Sequence, residues 1–131
     1  MQTHCPHCEV SLVRINVPGE IREHAPEKAA IVGSCPRCLR VYAAIDHGAT
    51  DRSTADLPTA VPDGDGGVAL VLVLGHLDSI ALNRAAIQSL LDYAEAAGTD
   101  VFLALDRLAD DDSLAPHVDI ARRRRQLESL L

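Results

Sequence analysis

The residues of this chain with the clearest chemistry are four cysteines in two matched pairs, Cys5-Pro6-His7-Cys8 and Cys35-Pro36-Arg37-Cys38. No other cysteine occurs in the 131 residues. A Cys-x-x-Cys turn places two sulfurs side by side, and two such turns can close a tetrahedron of thiolates around one Zn²⁺. The proline after each leading cysteine sets φ near the value a tight turn needs and offers no competing N–H. Cys5, Cys8, Cys35 and Cys38 are therefore the expected metal ligands and Zn²⁺ the expected cofactor. The interval between the pairs, residues 9–34, runs a little longer than the usual template but accommodates a hairpin and a third strand.

Other uses of the thiols fit less well. Disulfides need an oxidising compartment, and Met1-Gln2-Thr3-His4 has neither the basic nor the apolar region of a secretion signal, which points to the cytoplasm. A redox Cys-x-x-Cys normally stands alone, whereas this chain has two. Four thiolates also suit an iron–sulfur cluster, but separated pairs favour zinc. Four sulfurs close the coordination sphere and leave no position for water, so a catalytic zinc is not expected. His4 and His7 flank the first pair, either as replacement ligands or, as the spacing favours, as exposed neighbours.

Little else in the chain suggests catalysis. Gly75-His76-Leu77-Asp78-Ser79 gathers a histidine, an aspartate and a serine, but on a helix they point apart and cannot form a triad. No Gly-rich strand-to-helix turn ends in Lys-Ser/Thr. The expectation is a protein without enzymatic activity.

Composition narrows the setting. The formal net charge is −7, so bulk charge does not drive the chain onto nucleic acid. Aspartate outnumbers glutamate 13 to 6, and one lysine stands against 11 arginines. That balance suits a salt-rich cytoplasm, and GC-rich coding bias produces the same arginine skew. The longest apolar run, residues 68–74, is far short of the ~20 residues of a membrane span.

The elements that must position the cysteines follow from patterning. The expected fold class is α+β, with an N-terminal zinc ribbon (a small antiparallel β module) over residues 1–46 and a helical domain of about four helices over 68–131. An acidic Pro/Gly linker, 47–67, joins them. Residues 9–17 read as a strand stopped by Pro18-Gly19, and residues 20–28 as loop or one helical turn. Residues 29–34 lead into the second cysteine pair and 39–45 lead out, as a hairpin. About 45 residues bury too little apolar surface to fold alone, so the metal should supply much of that module's folding free energy. Arg37 and Arg40 are placed to offset the charge of a zinc tetrathiolate. The Asp63-Gly64-Asp65-Gly66 run lacks the rest of a calcium-loop pattern and reads as solvated linker.

In the C-terminal half, residues 68–74 are apolar on all sides, and Leu77, Ile80, Ala81 and Leu82 continue at helical spacing. Asn83 can cap a helix over 84–97 ended by Gly98. Thr99 or Asp100 can cap a third, and Asp119 a fourth over 120–131. The alternative makes residues 68–74 and 100–105 buried parallel strands of a βαβ unit. The helical period through Leu77–Leu82, with no turn signal, favours the bundle. Arg122, Arg123, Arg124 and Arg125 on the last helix point about 100° apart and wrap around it. They read mainly as solvated stems and ion pairs, with a phosphate or nucleic-acid contact as the sharper option. Phe102, Tyr42 and Tyr93 are the only aromatic residues, too few for a stacking platform.

Taken in order, the two cysteine motifs, Leu77-Asp78-Ser79-Ile80-Ala81-Leu82-Asn83-Arg84, Leu105-Asp106-Arg107-Leu108-Ala109-Asp110-Asp111 and the arginine run resemble a family of small haloarchaeal zinc-ribbon proteins of unknown function. The resemblance spans nearly the whole chain and implies a cytoplasmic zinc-binding protein. It brings no activity with it. Two functions remain as expectations: a protein-interaction adaptor or regulator, with self-association through the helical domain as one form, and an accessory factor of transcription or translation contacting nucleic acid through the arginine run.

Overall fold

A computed structural model describes residues 4–43 and 57–130. Three short strands form the first part: β1 (Val13–Asn16), β2 (Ile31–Ser34) and β3 (Val41–Ala43). They make one antiparallel sheet in the order β1-β2-β3, with Ile15 opposite Val32 and Gly33 opposite Tyr42. Between β1 and β2 the chain makes two 3₁₀ turns, Gly19–His24 and Pro26–Lys28. Four helices follow: α1 (Asp65–His76), α2 (Arg84–Ala96), α3 (Val101–Ala109) and α4 (Ile120–Leu130). The α+β class and the four helices agree with the sequence expectation. The βαβ alternative does not hold, because residues 68–74 lie inside α1 and Val101 to Leu105 open α3.

Helix α1 explains the architecture. Its residues 66–74 are all buried, as expected of a helix that is apolar on every side. Such a helix cannot lie on a surface and needs neighbours all round. α2 packs along it, and β3 comes against its C-terminal end. The contact with β3 is possible because residue 75 is glycine: a Cβ there would sit 3.0 Å from Val41 Cβ. The chain then turns through a 3₁₀ segment, Leu77–Ser79, into α2.

The sequence left open whether the two halves pack together. They share one core, in which Val13, Ile15, Val17 and Val32 of the sheet region join Leu70, Leu72, Leu90, Leu105 and Leu127 of the helices. Of the expected linker, residues 47–56 lie outside the described residues. Leu57 and Val61 are buried in that core, and α1 starts at Asp65, so Asp65 and Gly66 belong to a helix and not to solvated linker.

The helix ends follow local chemistry. Asp100 caps α3, its carboxylate accepting the Leu103 N–H at 3.0 Å, and Asp119 accepts from the Arg122 N–H at 3.1 Å at the start of α4. Asn83 precedes α2 as expected but makes no side-chain cap bond. Gly98, at φ 87°, ends α2 in a Schellman motif: the Thr99 N–H donates to Ala94 O and the Gly98 N–H to Glu95 O, both at 2.9 Å. No helix among the described residues is long and apolar enough to cross a membrane.

The tight approach at Gly75 yields a test. Gly75→Leu should destabilise the protein by about 1–3 kcal/mol through overpacking against β3. Gly19→Ala, where nothing lies within 4 Å of the added carbon, should be close to neutral. Urea unfolding of both variants checks the contrast, and equal effects would count against the close α1–β3 contact.

Candidate metal centre

Each cysteine pair sits on a turn of the same build. The first turn is closed by the Glu9 N–H donating to Cys5 O at 2.8 Å, the second by the Leu39 N–H donating to Cys35 O at 2.9 Å. Returning bonds complete each loop, from the Cys5 N–H to Val10 O and from the Cys35 N–H to Arg40 O, both 2.9 Å. The residue after each second cysteine is left-handed, Glu9 at φ 61° and Leu39 at φ 68°. This pseudo-repeat gives the two turns, which act as pincers, the same closing bonds and the same left-handed exit. A non-glycine residue in that conformation costs roughly 1–2 kcal/mol. At Leu39, which is fully buried, burial of the side chain contributes about 1.5–3 kcal/mol and outweighs the strain. Glu9 is exposed and has no such compensation.

The pincers bring the four Sγ atoms of Cys5, Cys8, Cys35 and Cys38 within 4.8 Å of one another. Cys5, Cys35 and Cys38 are buried and Cys8 is half-buried. Among the described residues this is the one group of three or more cysteines, histidines or acids placed to hold a metal ion. His4 is exposed, with its ring 3.4 Å from Ser11 Oγ, and His7 is exposed; neither belongs to the group.

The sulfurs are not equivalent. Arg37 and Cys38 N–H groups both donate to Cys35 Sγ at 3.4 Å. Burial by itself would raise the Cys5 thiol. The His7 and Cys8 backbone N–H groups, the Tyr42 hydroxyl and Cys38 outweigh it and bring Cys5 down to about 6. Cys8 is pushed up to about 12 by desolvation and by the neighbouring Cys35 and Cys38 sulfurs, and burial likewise raises Cys35. Four sulfurs this close cannot all be thiolates without a cation among them, and the group could hold a metal ion.

Two side chains complete the surroundings: Tyr42, which the sequence did not assign here, and Arg40, which it did. Tyr42 Oη lies 3.7 Å from Cys5 Sγ, and the Tyr42 hydroxyl is held well above its ordinary range by burial and by Cys5. Arg40 lies against Cys38, as its expected compensating role requires, and that contact raises the guanidinium further. Arg37 is exposed, and its backbone carbonyl accepts the Ala115 N–H at 2.9 Å. The signal for Tyr42 was the two-residue strand period counted from Arg40.

The second pincer is also held from the helical half. The His117 N–H donates to Cys38 O at 2.9 Å, and the His117 ring nitrogen Nε2 lies 3.1 Å from Leu74 O at the end of α1. Desolvation lowers the His117 pKa, which favours the neutral ring with its N–H on Nε2. His76 Nε2 meets His24 O at 2.7 Å, so the histidine beside Asp78 and Ser79 serves as a tie between the halves.

The arginine run divides by direction. Arg124 pairs with Asp106 at 2.9 Å and Glu128 at 2.8 Å and stacks 5.0 Å above the Phe102 ring, joining α4 to α3. Arg123 bonds Gln126 at 3.0 Å. Arg122 and Arg125, one helical turn apart, are exposed.

The chain belongs to a family of unknown function, DUF6276, whose match covers residues 4–131 and so includes both cysteine turns and all four helices. No curated protein and no solved structure matches it.

Two outcomes follow from this geometry. Metal binding must expel the protons of Cys8 and Cys35, so affinity should fall as pH is lowered, its logarithm changing by about two or more per pH unit near neutrality. Competition with a chromophoric chelator across that range measures the slope, and a flat profile would contradict the cage. Glu9→Gly should relieve the left-handed strain and raise the stability of the metal-loaded protein by about 1 kcal/mol. Thermal melting of that variant checks the sign.

Proposed function

We propose that this member of a family of unknown function is a non-catalytic zinc protein that works as a protein-interaction adaptor or regulator in the cytoplasm. The single observation that carries the metal assignment is the convergence of four sulfurs from two matched turns. A tetrahedron with Zn–S bonds of about 2.3 Å has edges of about 3.8 Å. The Cys5–Cys38 separation of 3.7 Å already fits that figure. Four thiolates fill the coordination sphere, which supports a structural role for the ion. The β2–β3 hairpin carrying the second turn supports reading the module as a zinc ribbon. The acidic, lysine-poor composition supports a salt-rich, haloarchaeal cytoplasm as its setting.

Support for the adaptor comes from the helical surface. Leu82 is 88% exposed. Beside it a groove of about 450 Å³ runs between residues 78–81 and Arg123, Gln126 and Leu130 of α4. The nucleic-acid reading draws on the exposed Arg122 and Arg125 and is weakened by the engagement of Arg124 within the fold. At molar salt, phosphate attraction is screened within ~3 Å, which also favours apolar contacts.

The test is affinity capture from the native cytoplasm at its own salt, with and without nuclease and with and without a zinc chelator. The expected outcome is a protein partner that survives nuclease and is lost on chelation. Chelation should also reduce the helical circular dichroism, because the sheet and the helices share a core. Loss of every partner on nuclease treatment would transfer the function to nucleic acid, and capture of nothing would overturn the adaptor.

A further inference from the structure

β3 faces two ways. Val41 packs on Gly75 of α1, while Arg40 and Tyr42, two residues apart and so on the same side of the extended chain, reach the cysteine cluster. Tyr42 Oη is 3.7 Å from Cys5 Sγ, and Arg40 lies against Cys38. Cys5 and Cys38 come from different turns, and their sulfurs are themselves 3.7 Å apart. The two donors, one neutral and one cationic, thus address a single edge of the sulfur cage that bridges the two pincers.

A metal dication held by four thiolates carries a net charge of −2, in a chain whose formal charge is already −7. Hydrogen bonds to the sulfurs draw off part of that charge and lower the tendency of a thiolate to exchange its metal for a proton. We propose that Arg40 and Tyr42 are positioning residues for the bound metal, donating to the Cys38 and Cys5 thiolates and thereby deciding how tightly the centre holds its ion. The inference rests on the metal reading given above and adds to it the residues outside the ligand set that govern retention. A phenylalanine ring would fill the same space against the cluster, and what Tyr42 adds to that packing is a hydroxyl 3.7 Å from Cys5 Sγ.

The experiment uses the full chain with Co²⁺ as an optical probe and Zn²⁺ in chelator competition, comparing Tyr42→Phe, Arg40→Met and Arg40→Lys with the unaltered protein. The unaltered chain should show a four-sulfur Co²⁺ spectrum. Tyr42→Phe and Arg40→Met should keep four-sulfur coordination, shift the sulfur-to-cobalt charge-transfer band, and weaken both metals by about 10-fold or more. Arg40→Lys, which keeps the positive donor, should recover part of the loss. A change in melting temperature with band and affinity unmoved is what a purely structural role predicts, and it would overturn the inference. Tyr42→Phe, nearly isosteric, carries the test even if Arg40→Met fails to fold. Absence of a four-sulfur spectrum in the unaltered chain would instead overturn the metal reading, and this inference with it.

Discussion

The crowding of four sulfurs within 4.8 Å, which would repel one another as thiolates, is the constraint around which residues 4–43 are built. The turns spend backbone strain at Glu9 and Leu39 to aim both pairs at one point, and backbone N–H groups converge on Cys35. With all four sulfurs as thiolates, such an arrangement is stable only when positive charge is supplied from outside them. A cation at the centre supplies most of it under the proposed reading, and Arg40 supplies more from the rim. Without that compensation at least some thiols must keep their protons, as the high position of Cys8 indicates.

The same constraint reaches the helices through hydrogen bonds and packing. The loop between α3 and α4 donates from Ala115 and His117 to the carbonyls of Arg37 and Cys38, so the second turn is braced by residues some eighty positions later. The His117 ring meets Leu74 O, and the His76 ring meets His24 O. Val41 and Gly75 close the contact between sheet and central helix. The buried, apolar stretch 66–74 of α1 makes this dependence reciprocal: it needs the sheet as a wall, and the sheet, with too little surface to bury by itself, needs α1.

The arginine run illustrates how a conspicuous sequence feature is divided by three-dimensional context. One of its four members is withdrawn into a network with Phe102, Asp106 and Glu128, where stacking and two carboxylates fix α4 against α3. Another is occupied locally by Gln126. What remains on the surface is a pair, Arg122 and Arg125, smaller than the run suggests.

Much of this molecule was legible from neighbouring residues alone. The spacing of the four cysteines, the stop at Pro18-Gly19, the caps Asp100 and Asp119, the Gly98 terminus and the all-round apolar character of residues 68–74 are each encoded within a few positions. They determine turns, helix ends and burial because hydrogen bonds from a side chain to nearby backbone, and the 3.6-residue period, are local physics. Tertiary structure alone decided the rest. It joined the two halves into one core, put Tyr42 rather than His4 or His7 beside Cys5, set His117 against the second turn and turned Arg124 inward. These contacts link residues from about twenty to eighty apart, and the energy that selects among them comes from shared burial and desolvated charge, which no short stretch of sequence contains.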